Sequence, residues 1–108
     1  MNARMPPAMA AYFSAEDAVN VEVLERCFTP DAVVRDEGRV MRGLDAIKAW
    51  KSAARAKYKY RIEPLSASSA GATATVLARV TGSFPGSPIE LTYTFGLVDD
   101  KIASLEIR

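Results

Sequence analysis

The spacing of apolar residues changes from helical to alternating near residue 58, and this change constrains the fold more than any other feature of the sequence. Residues 7–57 are rich in Ala, Glu, Lys, Arg and Leu, with apolar residues three and four positions apart. Residues 58–108 hold Thr, Val, Ile, Tyr and Phe in alternation, interrupted by Gly and Pro. Helices that precede an antiparallel sheet in this order predict an α+β fold, in which one face of the sheet is buried against the helices.

Three helices are predicted in the first half. The first opens after a Pro-Pro pair, since proline is favoured in a first helical turn, and its apolar face carries Met9, Tyr12 and Phe13. The second covers residues 20–28 and ends at Pro30, which cannot continue the helical hydrogen-bond ladder. The third follows a glycine, and the residues of its buried stripe are Ile47, Trp50 and Ala54.

Strands are predicted in the second half, and one short strand, residues 32–34, precedes the third helix. The longer strands are separated by turns rich in Gly and Pro and by an Asp-Asp pair. In two of them every second residue is apolar, so one face of each is expected to be buried. The predicted ranges are 58–64, 73–81, 89–97 and 101–108.

Histidine is absent from the 108 residues, and Cys27 is the single cysteine. These counts exclude an imidazole base, a Ser-His triad, a Cys-His pair and an internal disulfide. No cluster of thiolates is present to hold a metal, and we predict neither a metal site nor another cofactor. Acid–base chemistry is therefore expected from carboxylates, Tyr or Lys. Cys27 is predicted to be a small buried hydrophobe rather than a nucleophile.

The net charge of +1, from 14 Lys and Arg against 13 Asp and Glu, gives no global attraction to nucleic acid or to an anionic membrane. No stretch approaches the roughly 20 apolar residues of a membrane span, and the N-terminal apolar run is too short for a signal peptide. We expect one cytoplasmic domain, residues 1–108, without nucleic-acid or membrane partners. A basic run is interpreted as a solvated face, with an anionic partner as the alternative; it comprises Arg42, Lys48, Lys51, Arg55, Lys57, Lys59 and Arg61.

Two segments carry a resemblance to a known family: Phe28–Asp36, with the sequence FTPDAVVRD, and residues 43–47, with the sequence GLDAI. They resemble the nuclear transport factor 2-like superfamily, and most of all its SnoaL-like and ketosteroid isomerase branch. In that branch a helix ends in Phe-x-x-Asp-Ala, a short strand follows, and a Gly-x-x-Ala-Ile helix comes next. The Asp99-Asp100 pair resembles the family's turn into its last strand, so the resemblance covers nearly the whole chain.

The resemblance implies a cone-shaped, cystatin-like fold. A strongly curved antiparallel sheet wraps three helices and leaves an apolar pocket open at one end. Members of the branch include isomerases, polyketide cyclases and non-catalytic binding domains, so the fold alone does not give the function. A homodimer through the outer face of the sheet is also expected, because both faces of the last strand carry apolar groups. We expect Ala103, Leu105 and Ile107 on one face and Ile102 on the other.

Two residues fall on catalytic positions of the isomerase branch. The resemblance implies that Asp36 is the base that shuttles the proton and that Tyr12 stabilises the enolate oxygen. Val34 and Asp36 share a strand face, and a carboxylate inside a dry pocket is suited to proton transfer. A Tyr hydroxyl in the same pocket can donate to a developing oxyanion. The structural alternative is that Asp36 caps a turn and pairs with an arginine, while Tyr12 is a core aromatic.

The second acid of the isomerases is missing from this sequence. The corresponding position holds Leu91 or Thr92, and the nearest carboxylate, Glu90, is expected to face away from the pocket. Losing one oxyanion donor typically costs about two to three orders of magnitude in rate, which argues against a strict ketosteroid isomerase. The residues predicted to line an apolar ligand pocket, with plain core packing as the alternative for each, are Trp50, Phe28, Tyr93, Phe95 and Met9.

The sequence leaves two functions open. One is a small isomerase or cyclase, in which Asp36 moves a proton on an apolar carbonyl substrate while Tyr12 polarises its oxygen. The other is a non-catalytic ligand-binding protein or dimeric interaction module of the same fold. The Tyr12–Asp36 pair favours the enzyme, whereas the missing second acid and the absence of histidine favour the binding module.

Overall fold

The computed structural model describes residues 9–13, 24–36, 38–58 and 60–108. Within these ranges the helices are α1 over residues 9–13, α2 over Leu24–Cys27 and α3 over Leu44–Tyr58. The strands are β1 Phe28–Asp36, β2 Arg39–Arg42, β3 Arg61–Ala70, β4 Thr73–Thr81, β5 Ile89–Val98 and β6 Lys101–Ile107. No helix in these ranges is long and apolar enough to cross a membrane.

The six described strands form one sheet in the order β2-β1-β6-β5-β4-β3. Strands β1 and β6 run parallel, and every other neighbouring pair is antiparallel. The parallel pair joins the strands that come first and last along the described chain, and both lie in the interior of the sheet. The C-terminal ends of β1 and β6 therefore lie side by side. The predicted α+β architecture is confirmed, but the sheet is antiparallel except for the β1–β6 pair, and β2 was not predicted.

The inner face of the sheet pairs small side chains with large ones. On β4 and β5, Ala74 lies opposite Phe95 and Val76 lies opposite Tyr93, and all four side chains are buried. Leu105 of β6 is the neighbour of Phe95 on its other side. Burying one large apolar side chain contributes about 1.5–3 kcal/mol to the stability of the fold. The face of β4 and β5 that carries these alternating apolar residues is therefore the face that packs against the helices.

The helices cover this inner face with the residues that their spacing predicts. Met9, Tyr12 and Phe13 of α1 are all buried, as are Ile47 and Trp50 of α3. The predicted start of α1 lies outside the described residues. Burial of these two helical stripes against the sheet produces the hydrophobic core.

The second helix ends earlier than the sequence predicts. A helix that continues through Phe28 until Pro30 is wrong, because α2 ends at Cys27 and β1 begins with Phe28. The register between β1 and β6 shifts between Phe28 and Val33, and this irregular stretch accommodates a residue that has no backbone N–H. The predicted beginning of this helix, residues 20–23, lies outside the described residues.

The strand predicted over residues 58–64 lies later in the chain. Tyr58 is the last residue of α3, and β3 runs over Arg61–Ala70, so a second proline, Pro64, lies inside a strand. Pro64 is tolerated there because β3 is an edge strand, and its register with β4 shifts immediately afterwards.

A bulge in β6 changes which side chains face the core. The register between β5 and β6 shifts at Ala103, which is the extra residue. Ile102 and Leu105 are consequently both buried, although they are three residues apart. The prediction that Ile102 lies on the opposite face from Leu105 and Ile107 is therefore wrong.

The tight turns before α3 and between β5 and β6 lie where the sequence predicts them. Asp99 and Asp100 both adopt positive φ angles, 51° and 65°, a conformation that Asp tolerates better than most residues. Gly43 has a φ of 86° and leads into α3, and its N–H donates to the carbonyl of Ala32 at 2.8 Å. The short link from β2 to α3 directs the inner face of α3 toward the end of β1.

Candidate functional site

Asp36 is the last residue of β1, and its carboxylate turns toward α3. Trp50 Nε1 donates a hydrogen bond to Asp36 Oδ2 at 3.2 Å. Asp36 is half-buried, and Val34, two residues earlier on the same strand face, is fully buried. The carboxylate therefore lies on the inner side of the sheet at its rim, held by an indole N–H.

Lys51 is the next residue of α3, and its side chain is directed into the protein. It is 6% exposed and is the only charged residue among the buried ones in the described part of the chain. Its Nζ donates hydrogen bonds to Tyr12 Oη at 3.1 Å and to Tyr60 Oη at 3.0 Å. One buried ammonium thus joins a tyrosine of α1 to a tyrosine that precedes β3.

Aromatic rings surround the same ammonium. Lys51 Nζ lies 4.3 Å from the centre of the Trp50 ring, 5.0 Å from that of Tyr12 and 5.5 Å from that of Tyr60. The negative faces of such rings attract a cation, and the attraction is stronger when water is excluded. Trp50 therefore contacts Asp36 through its N–H and Lys51 through its ring, so an unbroken series of contacts links Asp36 to Tyr12.

Lys51 and Tyr60 were not predicted as site residues. Assigning the whole basic run to a solvated face is wrong for Lys51, which is buried. The signal was present in the spacing, because Lys51 lies four residues after Ile47 and three before Ala54, on the stripe that was predicted to be buried. Tyr60 carried no comparable signal, since it was assigned to a strand that does not include it.

The other residues predicted to contact a ligand belong to the core. Met9, Phe28, Tyr93 and Phe95 are all buried, and Trp50 is 7% exposed. The ring of Tyr12 packs edge to face against Phe28 and Phe95, with 5.8 Å between ring centres in both cases. These contacts are core packing, and a ligand-binding role for the five residues stays a prediction.

An open groove of about 290 Å³ lies beside Asp36, where β1 and β6 end. It contains three arginines and two carboxylates, and one ion pair within it joins Arg108 to Glu106 at 2.9 Å. Asp36 therefore lies between this groove and the interior occupied by Trp50. The residues that line the groove are Arg35, Asp36, Gly38, Arg39, Val40, Glu106, Ile107 and Arg108.

The inner face of β5 carries no acid. Leu91 is half-buried beside the core, and Glu90 is exposed, with its carboxylate 3.7 Å from Arg79. The predicted outward orientation of Glu90 is confirmed. A second carboxylate for an isomerase-type oxyanion site is thus missing from this strand.

Cys27 has the environment of an unreactive thiol. It is fully buried, and removal from water raises its pKa to about 11, so the thiol is protonated at neutral pH. The prediction that it acts as a small hydrophobe is confirmed. In the residues that the structure describes, no group of three His, Cys, Asp or Glu side chains is close enough to hold a metal ion.

A curved sheet that buries one face against helices, with polar groups at the rim of that face, defines the class of cystatin-like α+β proteins that includes the nuclear transport factor 2-like superfamily. Residues 9–105 match the SnoaL-like domain family, and the chain therefore belongs to that family. The resemblance inferred from the motifs around Asp36 is confirmed. No curated protein matches the chain in sequence.

Solved structures agree with this assignment. A Sinorhizobium meliloti protein named as a candidate polyketide cyclase is 43% identical, with a TM-score of 0.94 over 96% of this chain and 95% of that one. A Catenulispora acidiphila protein with a ketosteroid isomerase-like fold, solved with trimethylamine, is 22% identical, with a TM-score of 0.85 over 97% and 86%. A SnoaL-like polyketide cyclase candidate from a Jannaschia species is 15% identical, with a TM-score of 0.82 over 100% and 90%.

Proposed function

We propose that the protein binds an apolar carbonyl compound and catalyses a proton transfer of the isomerase or cyclase type. Asp36 is the base, and Tyr12 donates to the carbonyl oxygen. The observation that supports this proposal is the series of contacts from Asp36 through Trp50 and Lys51 to Tyr12, which joins a rim carboxylate to a buried hydroxyl.

The proposed reaction begins with proton removal. Asp36 takes a proton from the carbon next to the carbonyl group, and the electron pair of the broken C–H bond moves to the oxygen to give an enolate. Tyr12 stabilises the negative oxygen by a hydrogen bond. In an isomerisation, protonated Asp36 returns the proton to another carbon of the substrate. In a cyclisation, the enolate carbon attacks a second carbonyl carbon of the same molecule, the π electrons of that C=O bond move to its oxygen, and protonated Asp36 returns the proton to this oxygen. The bond from Trp50 fixes the orientation of the Asp36 carboxylate for this step.

Two observations support the choice of substrate class. The inner face of the sheet is lined by aromatic and aliphatic side chains, which favours an apolar molecule. The Sinorhizobium meliloti relative carries a polyketide cyclase name, and a polyketide contains carbonyl groups flanked by acidic carbons. Proton removal from such a carbon requires a weaker base than removal from an ordinary ketone, and a carboxylate suffices.

Hydrogen exchange tests the role of Asp36. The protein is incubated in D₂O with a panel of enolisable ketones, lactones and 1,3-dicarbonyl compounds, and NMR follows deuterium entry at the carbon next to the carbonyl. We expect Asp36→Asn to reduce the catalysed exchange by about 10²–10⁴-fold. The matched control is Asp99→Asn, an exposed turn residue whose positive φ Asn also accepts, and it retains the parental rate.

Each outcome of this experiment separates the two functions. Equal exchange by the parent and by Asp36→Asn removes Asp36 from the mechanism. Ligand binding without exchange in the parent favours the non-catalytic binding module that the sequence left open.

We also propose a homodimer through the outer face of the sheet, on the basis of the family resemblance. The bulge in β6 places Ile102 with the core, so the outer face depends on Leu77 and the threonines around it. Sedimentation at micromolar concentration tests the proposal, and a species of 11.7 kDa contradicts it.

A further inference from the structure

The groove at the ends of β1 and β6 carries more positive than negative charge. Three guanidinium groups and two carboxylates line its volume of about 290 Å³. One of the carboxylates, Glu106, is bound by Arg108 at 2.9 Å. Among the residues that the structure describes, the side chains of Arg35 and Arg39 form no ion pair. The groove therefore presents guanidinium groups that an anion from outside the protein can bind.

Strand register distinguishes the two unpaired arginines. Asp36 of β1 is paired with Arg39 of β2. Arg35 of β1 is paired with Glu106 of β6. Side chains of residues that lie opposite each other in a sheet extend from the same face, with Cβ atoms about 4.5–5.5 Å apart in an antiparallel pair. Arg39 therefore shares a face of the sheet with Asp36, whereas Arg35 lies on the other face with Glu106.

Burial identifies the face that Asp36 and Arg39 share. Val34 lies two residues before Asp36 and Met41 two residues after Arg39, so they belong to the same face. Val34 and Met41 are paired with each other, and both are buried. Arg39 itself is exposed, so its guanidinium lies at the rim where the inner face of the sheet meets water. A ligand in the groove that contacts Asp36 is consequently also within reach of Arg39.

The row of side chains at this rim continues on a third strand. Asp36 is paired with Ile107 of β6 on its other side, and Ile107 is half-buried and lines the groove. Neighbouring strands lie about 4.8 Å apart, so a cationic, an acidic and an apolar position follow one another at this interval. A ligand that lies across the three strands places its anionic group at Arg39 and its apolar part at Ile107, with the carbon between them at Asp36.

We propose that Arg39 binds a carboxylate of the substrate, and that the substrate is an apolar carbonyl compound with a carboxylate a few bonds from its acidic carbon. The inference rests on the proposed function, in which Asp36 removes the proton from that carbon. A guanidinium binds a carboxylate through two parallel hydrogen bonds, and its charge offsets the repulsion between the ligand and Asp36. One unpaired guanidinium matches the single charge of a carboxylate, whereas a phosphate dianion leaves a charge uncompensated beside Asp36.

A diketone acid and its ester test the charge without a catalytic step. The acid, 4,6-dioxo-6-phenylhexanoate, has a phenyl ring on one side of its acidic carbon and a carboxylate on the other. Its methyl ester keeps the diketone and the ring but has no charge. We expect the parent protein to bind the acid about 10-fold more tightly than the ester, because only the acid forms a charge-assisted pair with Arg39. Calorimetry measures both affinities, and the difference is expected to shrink in about 0.5 M NaCl.

Substitutions on β2 separate the position of the charge from its presence. Arg39→Gln is expected to weaken binding of the acid by about 10-fold and to leave the affinity for the ester unchanged. Arg39→Lys keeps the charge but not the two parallel donors, and we expect it to retain about a 3-fold preference for the acid. The matched control is Arg42→Gln, which removes the same charge from an exposed position on the opposite face of β2. It is expected to bind both compounds as the parent does.

Four results overturn the inference. The parent binds no acid, or it binds the acid and the ester equally. Arg39→Gln keeps the preference for the acid, or it loses affinity for the ester as much as for the acid, which is what a merely structural role produces. A loss of preference in Arg42→Gln as large as that in Arg39→Gln also contradicts the assignment, since it shows that the general charge of β2 is responsible.

Deuterium exchange with the same two compounds separates this inference from the proposed function. Exchange that depends on Asp36, with equal affinities for the acid and the ester, keeps the proton transfer and removes the carboxylate site. A preference for the acid that depends on Arg39, without catalysed exchange, keeps the carboxylate site and removes the proton transfer. The two failures are therefore distinguishable.

Discussion

Lys48 and Lys51 lie one turn apart on α3 and have opposite environments. Lys48 is on the outer side of the helix and forms an ion pair with Glu25 of α2. Lys51 is on the inner side and binds two tyrosine oxygens within a group of aromatic rings. The same side chain thus contributes a surface ion pair at one position and a fixed internal charge at the other.

The difference depends on which partners the fold brings to each side. Glu25 is exposed and is screened by water, so its pair with Lys48 is expected to contribute little to stability. Tyr12 is 39 residues away from Lys51 in sequence and reaches it only because α1 and α3 cover the same face of the sheet. An internal charge of this kind requires partners from several elements, whereas a surface pair forms wherever two side chains meet.

Truncating the two lysines is expected to give the largest contrast. Lys51→Ala removes the stem and the ammonium and leaves a cavity beside two phenol oxygens, so we expect the free energy of unfolding to fall by about 2–4 kcal/mol. Lys48→Ala is expected to cost at most about 1 kcal/mol. Urea denaturation followed by circular dichroism measures both. Similar losses for the two variants would show that the interior of the protein does not depend on the Lys51 contacts.

Replacing Trp50 with phenylalanine removes its contact with Asp36 and keeps its contact with Lys51. Trp50→Phe keeps an aromatic ring beside Lys51 but removes the N–H that holds Asp36, at a cost of about 0.5–1.5 kcal/mol in stability. We expect the catalysed deuterium exchange to fall by about 10-fold, because the Asp36 carboxylate loses the bond that orients it. An unchanged exchange rate in Trp50→Phe would show that this hydrogen bond does not position the base.

Cys27 extends the comparison to a buried ionisable group whose pKa is shifted by burial, and its effect on stability is confined to alkaline pH. Burial raises its pKa from the ordinary value of 9.0 to about 11, so the folded protein keeps the thiol proton that the unfolded chain loses. The stability from this group is present below pH 9 and falls as the pH rises from 9 to 11.

Denaturation of the parent and of Cys27→Ala over this pH range tests whether the Cys27 thiol makes stability fall as the pH rises. The variant is expected to be less stable at pH 7 because of the lost packing, but to lose less stability between pH 9 and 11. Parallel pH profiles for the two proteins would contradict the assignment.

The prolines show where local rules gave the wrong structure. Pro30 and Pro64 were both expected to end an element, because a proline removes a backbone donor. Each lies inside a strand instead, Pro30 in an irregular stretch of β1 and Pro64 in the edge strand β3. The missing backbone N–H of a proline breaks a strand only where a neighbouring strand would have accepted its hydrogen bond. Which strand is the neighbour depends on the arrangement of the whole sheet.

The candidate site was predictable in part. Asp36 and Tyr12 were found from short motifs, and the structure connects them through Trp50, which the helical spacing had placed on the buried stripe. Lys51 lies on the same stripe but was assigned to the surface because lysine is rarely buried. Partners of its ammonium include Tyr12, which is 39 residues away in sequence and is brought to Lys51 by the packing of α1 and α3.

The sequence by itself determined that helices precede most of the sheet, the inner faces of β4 and β5, and the family, whereas β2 was not predicted. These depend on periodicity and on short motifs, and each residue contributes to them through its neighbours along the chain. The tertiary structure alone decided the bulge at Ala103, the burial of Lys51 and the hydrogen bonds that Lys51 makes to Tyr12 and Tyr60. Strand register, burial of a charge and hydrogen bonds between distant residues are properties of packed elements, so they exist only once the sheet and helices have come together.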